Sequence, residues 1–134
     1  MSEYSKSKDF SNYLLYIFNN KCFDLEIRQI SGLTLKGLLD TSFESLPHDA
    51  LSYFKGHVFD QYLCKNKKIS CVISSLVNSF VKYSGIEAWP ELPNYLYNML
   101  LDGDTIMLAL ETIKIIIEDV GEYYEEEAHI EVYL

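Results

Sequence analysis

The sequence is poor in residues that break helices, with only six glycines and three prolines among its 134 residues. Because apolar residues make up 49% of the chain, this scarcity argues against a disordered chain and against a turn-rich β fold. No apolar run approaches the ~20 residues that cross a bilayer. The N-terminus MSEYSKSKDF also lacks the apolar segment of a secretory signal. We therefore expect one domain with a hydrophobic core of its own.

Cysteine is scarce as well, and its three copies, Cys22, Cys64 and Cys71, do not have the CxxC spacing of zinc sites. Cys71 lies in an apolar row, which is typical of a small core residue in a reducing compartment. Catalytic motifs are also missing, because the sequence has no glycine-rich phosphate loop, no HExxH and no GxSxG. We expect neither a bound metal nor a cofactor, and no enzymatic activity.

Basic residues are nearly absent from the second part of the chain. Residues 85–134 contain Lys114 alone against 12 acidic residues, whereas residues 1–84 carry 10 basic and 8 acidic residues. Nucleic acids and anionic lipids bind basic patches, so this charge disfavours both classes of partner. It favours a basic protein partner. The acidic residues could equally serve only to keep the protein in solution. A basic protein partner and solubility alone therefore both remain open as interpretations at this point.

What the sequence does contain is a recurring pattern of apolar residues and tyrosine. A tyrosine is followed directly by one apolar residue and, five positions after the tyrosine, by another. The three occurrences are Tyr13-Leu14 with Phe18, Tyr53-Phe54 with Val58, and Tyr95-Leu96 with Leu100. Their spacing of 40 and then 42 residues is typical of helical repeats. Each repeat is predicted to be a helical hairpin, which must stack on its neighbours to bury both of its faces.

Helical periodicity fills the intervals between these pairs. Residues 67–84 have a regular apolar stripe from Ile69 to Val81, and Gly85 is a typical helix-ending residue. Residues 105–124 are apolar on most sides and should be buried on two faces. The apolar stripe predicted for residues 24–42 consists of Ile27, Ile30, Leu33, Leu35, Leu38 and Leu39.

The predicted fold class is all-α. Residues 1–134 should form a single right-handed α-solenoid of HEAT-type helical hairpins. Its six predicted helices cover residues 9–20, 24–42, 47–63, 67–84, 90–102 and 105–124. Gly32 and Ser74 occupy similar points on two long helices and should allow a neighbouring helix to approach closely. Arg28 and Lys36 are expected to bind the carbonyl end of a neighbouring helix or to pair with acidic residues, with a functional role as the alternative.

Several segments of the sequence resemble those of a known protein family. KDFSNYLLYIF lies in the first predicted helix, Arg28 precedes SGLTLK at residues 31–36, and AWPELPNYLYNMLLDGD and IKIIIED follow in that order. The Arg…SGLxLK and WPxL segments resemble the amino-terminal repeats of the importin-β family of nuclear transport receptors, in its transportin group. The resemblance covers residues 8–127. It lacks the family's first helix, and the tail YYEEEAHIEVYL departs from the family pattern, so the chain is expected to correspond to a piece of a longer receptor.

The resemblance implies a role in nucleocytoplasmic protein import. In this family the amino-terminal repeats bind the small GTPase Ran in its GTP form, through the second helix of each hairpin on the concave side. Cargo binds elsewhere in the full-length receptor. The implied locations are the cytoplasm and the nucleus, and the implied partner is Ran-GTP, without nucleic acid or membrane.

A short helical-repeat scaffold, which self-associates or binds another protein independently of Ran, is the alternative function. Under either hypothesis we expect dimerisation through the exposed flanks of the terminal helices, at residues 10–18 or 106–117. The reason is that large apolar patches are seldom left in contact with water.

Helix geometry predicts which side chains face the groove that the resemblance implies. We assume that Leu14, Phe54 and Leu96 point into the core. In each helix, the residues two positions before and two positions after this core residue then lie on the opposite face, together with the residues five positions before it and six positions after it. The residues predicted to face the groove are Asp9, Asn12, Tyr16 and Asn20, then Asp49, Ser52, Gly56 and Asp60, and finally Glu91, Asn94, Asn98 and Asp102. All of them except Gly56 are the predicted Ran-binding residues. Short polar groups suit a basic partner surface. The alternative interpretation is an ordinary solvated helix face, because the helix dipole favours acidic residues near the N-terminus of any helix.

Overall fold

The structure is a computed structural model that describes the backbone of residues 3–61 and 66–133, with the side chains of residues 9–61, 66–85 and 87–119. It contains six α-helices: α1 (Glu3–Asn19), α2 (Leu25–Ser42), α3 (His48–His57), α4 (Lys67–Ser84), α5 (Leu92–Leu100) and α6 (Ile106–Tyr133). Single 3-10 turns at Phe43–Ser45 and Ile86–Ala88 precede α3 and α5. Within these ranges there is no strand, and the prediction of an all-α fold is confirmed.

The helices form two layers. α2 packs on α4 and α4 packs on α6, and these three helices make the even-numbered layer. α1 packs on α3, and α5 continues this odd-numbered layer through a stacked contact between Phe59, after α3, and Tyr95 of α5. Contacts of α1 with α2 and of α5 with α6 join the layers. The predicted helical repeat is therefore confirmed.

α4 lies at the centre of the core because it contacts both other helices of its layer. Asn66 caps its N-terminus by accepting a hydrogen bond from the Lys68 N–H at 2.9 Å. Gly85 ends the helix with a φ of 80° and donates its N–H to the Val81 carbonyl, as predicted. All seven residues of the predicted stripe are buried: Ile69, Val72, Ile73, Leu76, Val77, Phe80 and Val81.

α2 approaches its neighbours closely at Gly32. A Cβ atom at this position would lie 2.5 Å from Cγ1 of Val72 and 2.8 Å from Cδ2 of Phe18. Both distances are too short for an added methyl group, so only glycine allows α1, α2 and α4 to meet here. The predicted close approach at Gly32 is confirmed.

The predicted apolar stripe of α2 is wrong in its first half, since Ile27, Ile30 and Leu33 are 47%, 63% and 49% exposed. The face that is turned inward carries instead Arg28, Ser31, Gly32, Leu35 and Leu39. The contact at Gly32 explains the difference, because the helix must rotate to bring its smallest residue against Val72 and Phe18. Packing at one point overrides the average apolar pattern of the helix.

α6 differs from its prediction in a similar way. Ala109 and Thr112 are buried, and the Thr112 hydroxyl lies 3.0 Å from the Ser74 hydroxyl of α4. Because the small residues face α4, the opposite side of α6 is left exposed rather than buried. The exposed apolar residues are Met107, Leu110 and Ile117.

Several helix ends also lie away from their predicted positions. The first helix begins at Glu3 rather than at residue 9, and α3 ends at His57 rather than at residue 63, because the chain turns at residues 58–61. α5 begins at Leu92, after a 3-10 turn and a short turn that contains Trp89. α6 continues to Tyr133, well past the predicted end at residue 124.

The carbonyl end of α1 is bound by a buried arginine. Arg28 Nε donates a hydrogen bond to the Phe18 carbonyl at 2.8 Å, and Nη2 donates to Oε1 of Gln61 at 3.4 Å. A cation is favourable at this end of a helix because the helix dipole is negative there. Lys36, by contrast, forms an ion pair with Asp40 one turn along the same helix. Arg28 thus has the structural role expected for it.

The contact at Gly32 makes a testable prediction about stability. The substitution Gly32→Ala should lower the free energy of unfolding by about 1–3 kcal/mol, since the new methyl group must displace Val72 or Phe18. The matched control is Gly37→Ala in the same helix, where an added Cβ meets nothing within 4 Å. This control should raise the free energy of unfolding by about 0.5–1 kcal/mol, which is the difference in helix propensity. Urea titrations followed by circular dichroism measure both values, and equal effects would contradict the packing.

The hydrogen bond from Arg28 makes a second prediction. Arg28→Met should lower the free energy of unfolding by roughly 1.5–3 kcal/mol, because the Phe18 carbonyl loses a charged donor. Lys36→Met removes a long cationic side chain from the more exposed ion pair with Asp40. It should lower the free energy of unfolding by at most about 0.5 kcal/mol. Thermal and urea unfolding of the two variants compare the costs. A smaller loss for Arg28→Met than for Lys36→Met would exclude the proposed role of Arg28.

Candidate protein-binding face

The predicted site residues lie on the outer side of the odd-numbered layer. Leu14, Phe54 and Leu96, which were assumed to point into the core, are 8%, 4% and 6% exposed. The opposite sides of α1, α3 and α5 therefore face away from the even-numbered layer. We call this surface the odd-layer face.

Most of the predicted residues are accessible on this face. Asn12 and Asn20 are half-buried, and the other ten are exposed: Asp9, Tyr16, Asp49, Ser52, Gly56, Asp60, Glu91, Asn94, Asn98 and Asp102. Five of these ten are carboxylates, and they lie in α1, in α3 or in the turns that border α3 and α5. The face therefore carries a concentration of negative charge and of hydrogen-bond acceptors.

Two of the predicted residues have local structural roles. The Oδ1 atom of Asn20 accepts a hydrogen bond from the Cys22 N–H at 2.9 Å, and Oδ1 of Asp102 accepts one from the Asp104 N–H at 2.9 Å. Asparagine and aspartate commonly make such bonds in turns. Turn formation therefore explains why these two residue types occur at the ends of α1 and α5.

The placement of Asn12 differs from its prediction. Its Oδ1 atom is buried and accepts no hydrogen bond within the described residues. The side chain borders a narrow space between α1 and α3, next to Leu51 and Tyr53. Because α1 packs directly on α3, this side of α1 is covered by its neighbour, and helix periodicity alone does not reveal that.

A cavity of about 330 Å³ lies between α3 and α5 on the odd-layer face. The α3 side supplies Ser52, Gly56 and Asp60, and Glu91 borders the cavity at the start of α5. Four of the predicted residues are thus brought together around one opening, although Asp60 and Glu91 are 31 positions apart in the sequence. We call this cavity the α3–α5 pocket.

Aromatic side chains form one wall of the α3–α5 pocket. The rings of Phe59 and Tyr95 stack with 4.9 Å between their centroids. The centroids of the Trp89 and Phe59 rings are 6.2 Å apart. Trp89 and Phe59 are buried, whereas Tyr95 is 43% exposed. Sequence reasoning did not include these three residues in the site. Two sequence signals mark this wall, the Trp89-Pro90 segment and the repeated Tyr95, but a family motif explains the first equally well and core packing explains the second.

Charged groups border the pocket on more than one side. Lys55 Nζ donates a hydrogen bond to the Ala88 carbonyl at 3.2 Å, so this ammonium group is bound to the 3-10 turn before α5. Oδ2 of Asp60 lies 2.8 Å from Nδ1 of His57. Burial raises the pKa of the Tyr53 hydroxyl, and the nearby carboxylate of Asp60 raises it further.

The described residues contain neither a metal-binding cluster nor a membrane span. Among them, no three or more His, Cys, Asp or Glu side chains are grouped closely enough to hold a metal ion. No helix in the described part of the chain combines the length and apolar character of a membrane span. What the odd-layer face offers is an acidic surface with one partly aromatic pocket.

Comparison with known proteins shows similarity to transportins. Residues 1–62 match the family described as Importin-beta N-terminal domain. The chain is 30% identical over 127 residues to transportin-1 of Oryza sativa subsp. japonica and 27% identical over 122 residues to transportin of Dictyostelium discoideum. It is 23% identical over 130 residues to transportin-1 of Homo sapiens.

These alignments cover 91%, 89% and 95% of the chain, respectively. They cover only 13% to 14% of the relatives, so the chain spans a small part of the length of the curated proteins it matches. The resemblance to transportins that the motifs predicted is confirmed along nearly the whole chain. The match to residues 1–62 agrees with its amino-terminal placement.

Proposed function

Because this chain resembles the amino-terminal part of the transportins, nuclear transport receptors of the importin-β family, we propose that it is a receptor segment that binds Ran in its GTP form. The proposed binding surface is the odd-layer face. The process is nucleocytoplasmic protein import, with movement between cytoplasm and nucleus and with cargo bound elsewhere in a full-length receptor. Binding, rather than catalysis, is the proposed activity.

The observation that carries this proposal is the exposure of acidic residues on three successive helices. Asp9 belongs to α1, Asp49 to α3, and Glu91 lies at the start of α5, and all three are exposed. These three carboxylates lie on the same side of the odd-numbered layer, and this side suits the basic surface of a protein partner. Such complementarity increases the association rate and adds charge-assisted hydrogen bonds.

The size of the face also suits a protein partner. Neighbouring packed helices lie roughly 8–10 Å apart, so three of them present a surface about 20 Å wide. A stable protein–protein contact needs ~800 Å² from each partner. The three helices are 17, 10 and 9 residues long, or roughly 14–26 Å at 1.5 Å per residue, so the helices and the turns that border them supply a large part of this area.

The main competing explanation is a solvated acidic face without a partner. Asn20 and Asp102 cannot distinguish the explanations because their side chains take part in turns. Asp49 and Asn94 can distinguish them, since both are exposed and neither side chain makes a hydrogen bond within the described residues. Changing these two side chains should leave the fold intact.

The double substitution Asp49→Lys with Asn94→Lys tests the proposed surface. It should weaken the binding of GTP-loaded Ran by about tenfold or more, because it places two cations opposite a basic partner. The matched control is Glu26→Lys with Thr34→Lys on α2, which makes the same change in net charge at exposed positions of the even-numbered layer. Isothermal titration calorimetry measures the dissociation constants, and circular dichroism checks the helix content. An equal loss in both double variants would show a general charge effect and contradict the assigned face.

The nucleotide state of Ran gives a second test. The unsubstituted chain should bind Ran loaded with a non-hydrolysable GTP analogue and should bind the GDP form much more weakly. A scaffold that acts independently of Ran would not distinguish the two forms. Equal binding of both nucleotide forms, or binding of neither, contradicts the proposed function.

A self-associating scaffold is the second candidate function, and exposed apolar residues favour it. On α6, Met107, Leu110 and Ile117 are 73%, 48% and 62% exposed, and on α1 Tyr13 is 65% exposed. Apolar residues that are exposed in this number on one helix flank favour contact with another protein surface. A second copy of the chain is the proposed occupant for this function, through the flank of α6.

The double substitution Leu110→Glu with Ile117→Glu tests this self-association. Sedimentation velocity of the unsubstituted chain should show a dimer at high concentration, and the double variant should sediment as a monomer because it places two charges in an apolar interface. Lys21→Glu is the control, since it makes the same change in net charge at an exposed position in the turn between α1 and α2, outside both apolar flanks. A monomer at all concentrations for the unsubstituted chain would exclude this candidate.

A further inference from the structure

The α3–α5 pocket has a size that suits one long side chain. Its volume of about 330 Å³ is at the lower end of the range of small-molecule pockets, ~300–1,000 Å³. The pocket opens on the odd-layer face, between Ser52 and Gly56 of α3 and Glu91 at the start of α5. A partner that lies across this face would therefore pass directly over the opening.

Flat aromatic surface forms one side of the pocket. The Tyr95 ring is partly exposed and is held in place by stacking on the buried ring of Phe59. Trp89 extends the same wall and is itself fixed by its edge contact with Phe80, at 5.3 Å between centroids. The planar guanidinium group of arginine stacks favourably on such rings.

Carboxylates stand on both sides of the opening. Asp60 follows α3 and Glu91 precedes α5, and both are exposed at the border of the pocket. One ammonium group and one imidazole ring lie nearby, but each has a partner of its own: Lys55 donates to the Ala88 carbonyl, and His57 contacts Asp60. Glu91 is thus the carboxylate most available to an incoming cation.

We propose that the α3–α5 pocket receives an arginine side chain of the protein partner, stacked on the aromatic wall and paired with Glu91 and Asp60. An anionic group would be repelled by the two carboxylates. An apolar side chain would cover the two carboxylates without supplying a hydrogen-bond donor or a positive charge, which is unfavourable. A lysine would satisfy the charge but would lack the planar group that matches the rings. The identity of the partner as Ran-GTP rests on the proposed function, whereas the chemistry of the pocket does not.

Gly56 offers a way to fill the pocket without disturbing the fold. A Cβ atom at this position meets nothing within 4 Å, so a larger side chain would extend into open space at the pocket. Gly37 of α2 is equally open but lies in the other layer, away from the pocket. The pair Gly56→Leu and Gly37→Leu therefore makes the same chemical change at two helical glycines, only one of which borders the pocket.

The first experiment tests the pocket with a simple probe. Trp89 is the only tryptophan of the chain, so intrinsic fluorescence reports on the aromatic wall. Titration of the full chain with the peptide acetyl-Gly-Arg-Gly-amide should give a saturable change in fluorescence. The same peptide with citrulline, which keeps the planar shape but has no charge, should give none, and Gly56→Leu should abolish the response to arginine. An equal response to both peptides, or no response to either, overturns the proposal.

The second experiment tests the pocket in the complex. Gly56→Leu should weaken the binding of GTP-loaded Ran by about tenfold, as expected for the loss of one paired arginine, while Gly37→Leu should leave it unchanged. Glu91→Gln, which keeps the size of the side chain and removes its charge, should weaken binding in the same direction. Circular dichroism confirms that the variants retain their helix content.

The two experiments separate the failure of this inference from the failure of the proposed function. If the unsubstituted chain does not bind GTP-loaded Ran but responds to the arginine peptide, the proposed function is wrong and the arginine pocket stands. If Ran binds and both glycine variants bind it equally well, the assignment of the pocket to this partner is wrong, whatever the peptide shows. Gly56→Gln gives a second, polar way to fill the pocket if Gly56→Leu does not fold.

Discussion

Phe80 of α4 joins the two helices between which the candidate pocket lies. Its ring stacks on Phe54 of α3 with 4.9 Å between centroids, and it meets the edge of Trp89, just before α5, at 5.3 Å. α3 and the start of α5 therefore pack on the same buried ring, that of Phe80. For this reason Asp60, which follows α3, and Glu91, which precedes α5, border the same opening. The core of the stack therefore determines the geometry of the odd-layer face.

Small and polar residues set the spacing within the even-numbered layer. Gly32 allows the close approach of α2 to α4, and on the other side of α4 the hydroxyls of Ser74 and Thr112 lie 3.0 Å apart. Asn78 donates a hydrogen bond to Asp119 at 2.7 Å in the same contact. Helices that meet through small side chains turn part of their larger apolar residues outward. This accounts for the exposed apolar flanks of α2 and α6, which favour self-association.

The acidic residues of the odd-layer face do not all have the same role. Local hydrogen bonds explain Asp60 and Asp102, whereas Asp49 and Glu91 have no comparable partner in the described part of the chain. Helix dipoles favour carboxylates at such N-terminal positions in any helix. What separates a binding surface from an ordinary solvated face is therefore the pocket beside Glu91, where charge and aromatic surface occur together.

The sequence by itself determined the fold class, the repeat, the apolar stripe of α4 and its end at Gly85, because periodicity and helix-ending residues act over a few neighbouring positions. It also placed most of the candidate residues on one face, since a helix has a regular period. Only the tertiary structure decided the rotation of α2 about Gly32, the burial of the Asn12 oxygen and the meeting of Phe59, Trp89 and Tyr95 beside Glu91. These features depend on contacts between helices that are distant in the sequence, and the shapes of two packed surfaces cannot be obtained from the pattern of either one alone.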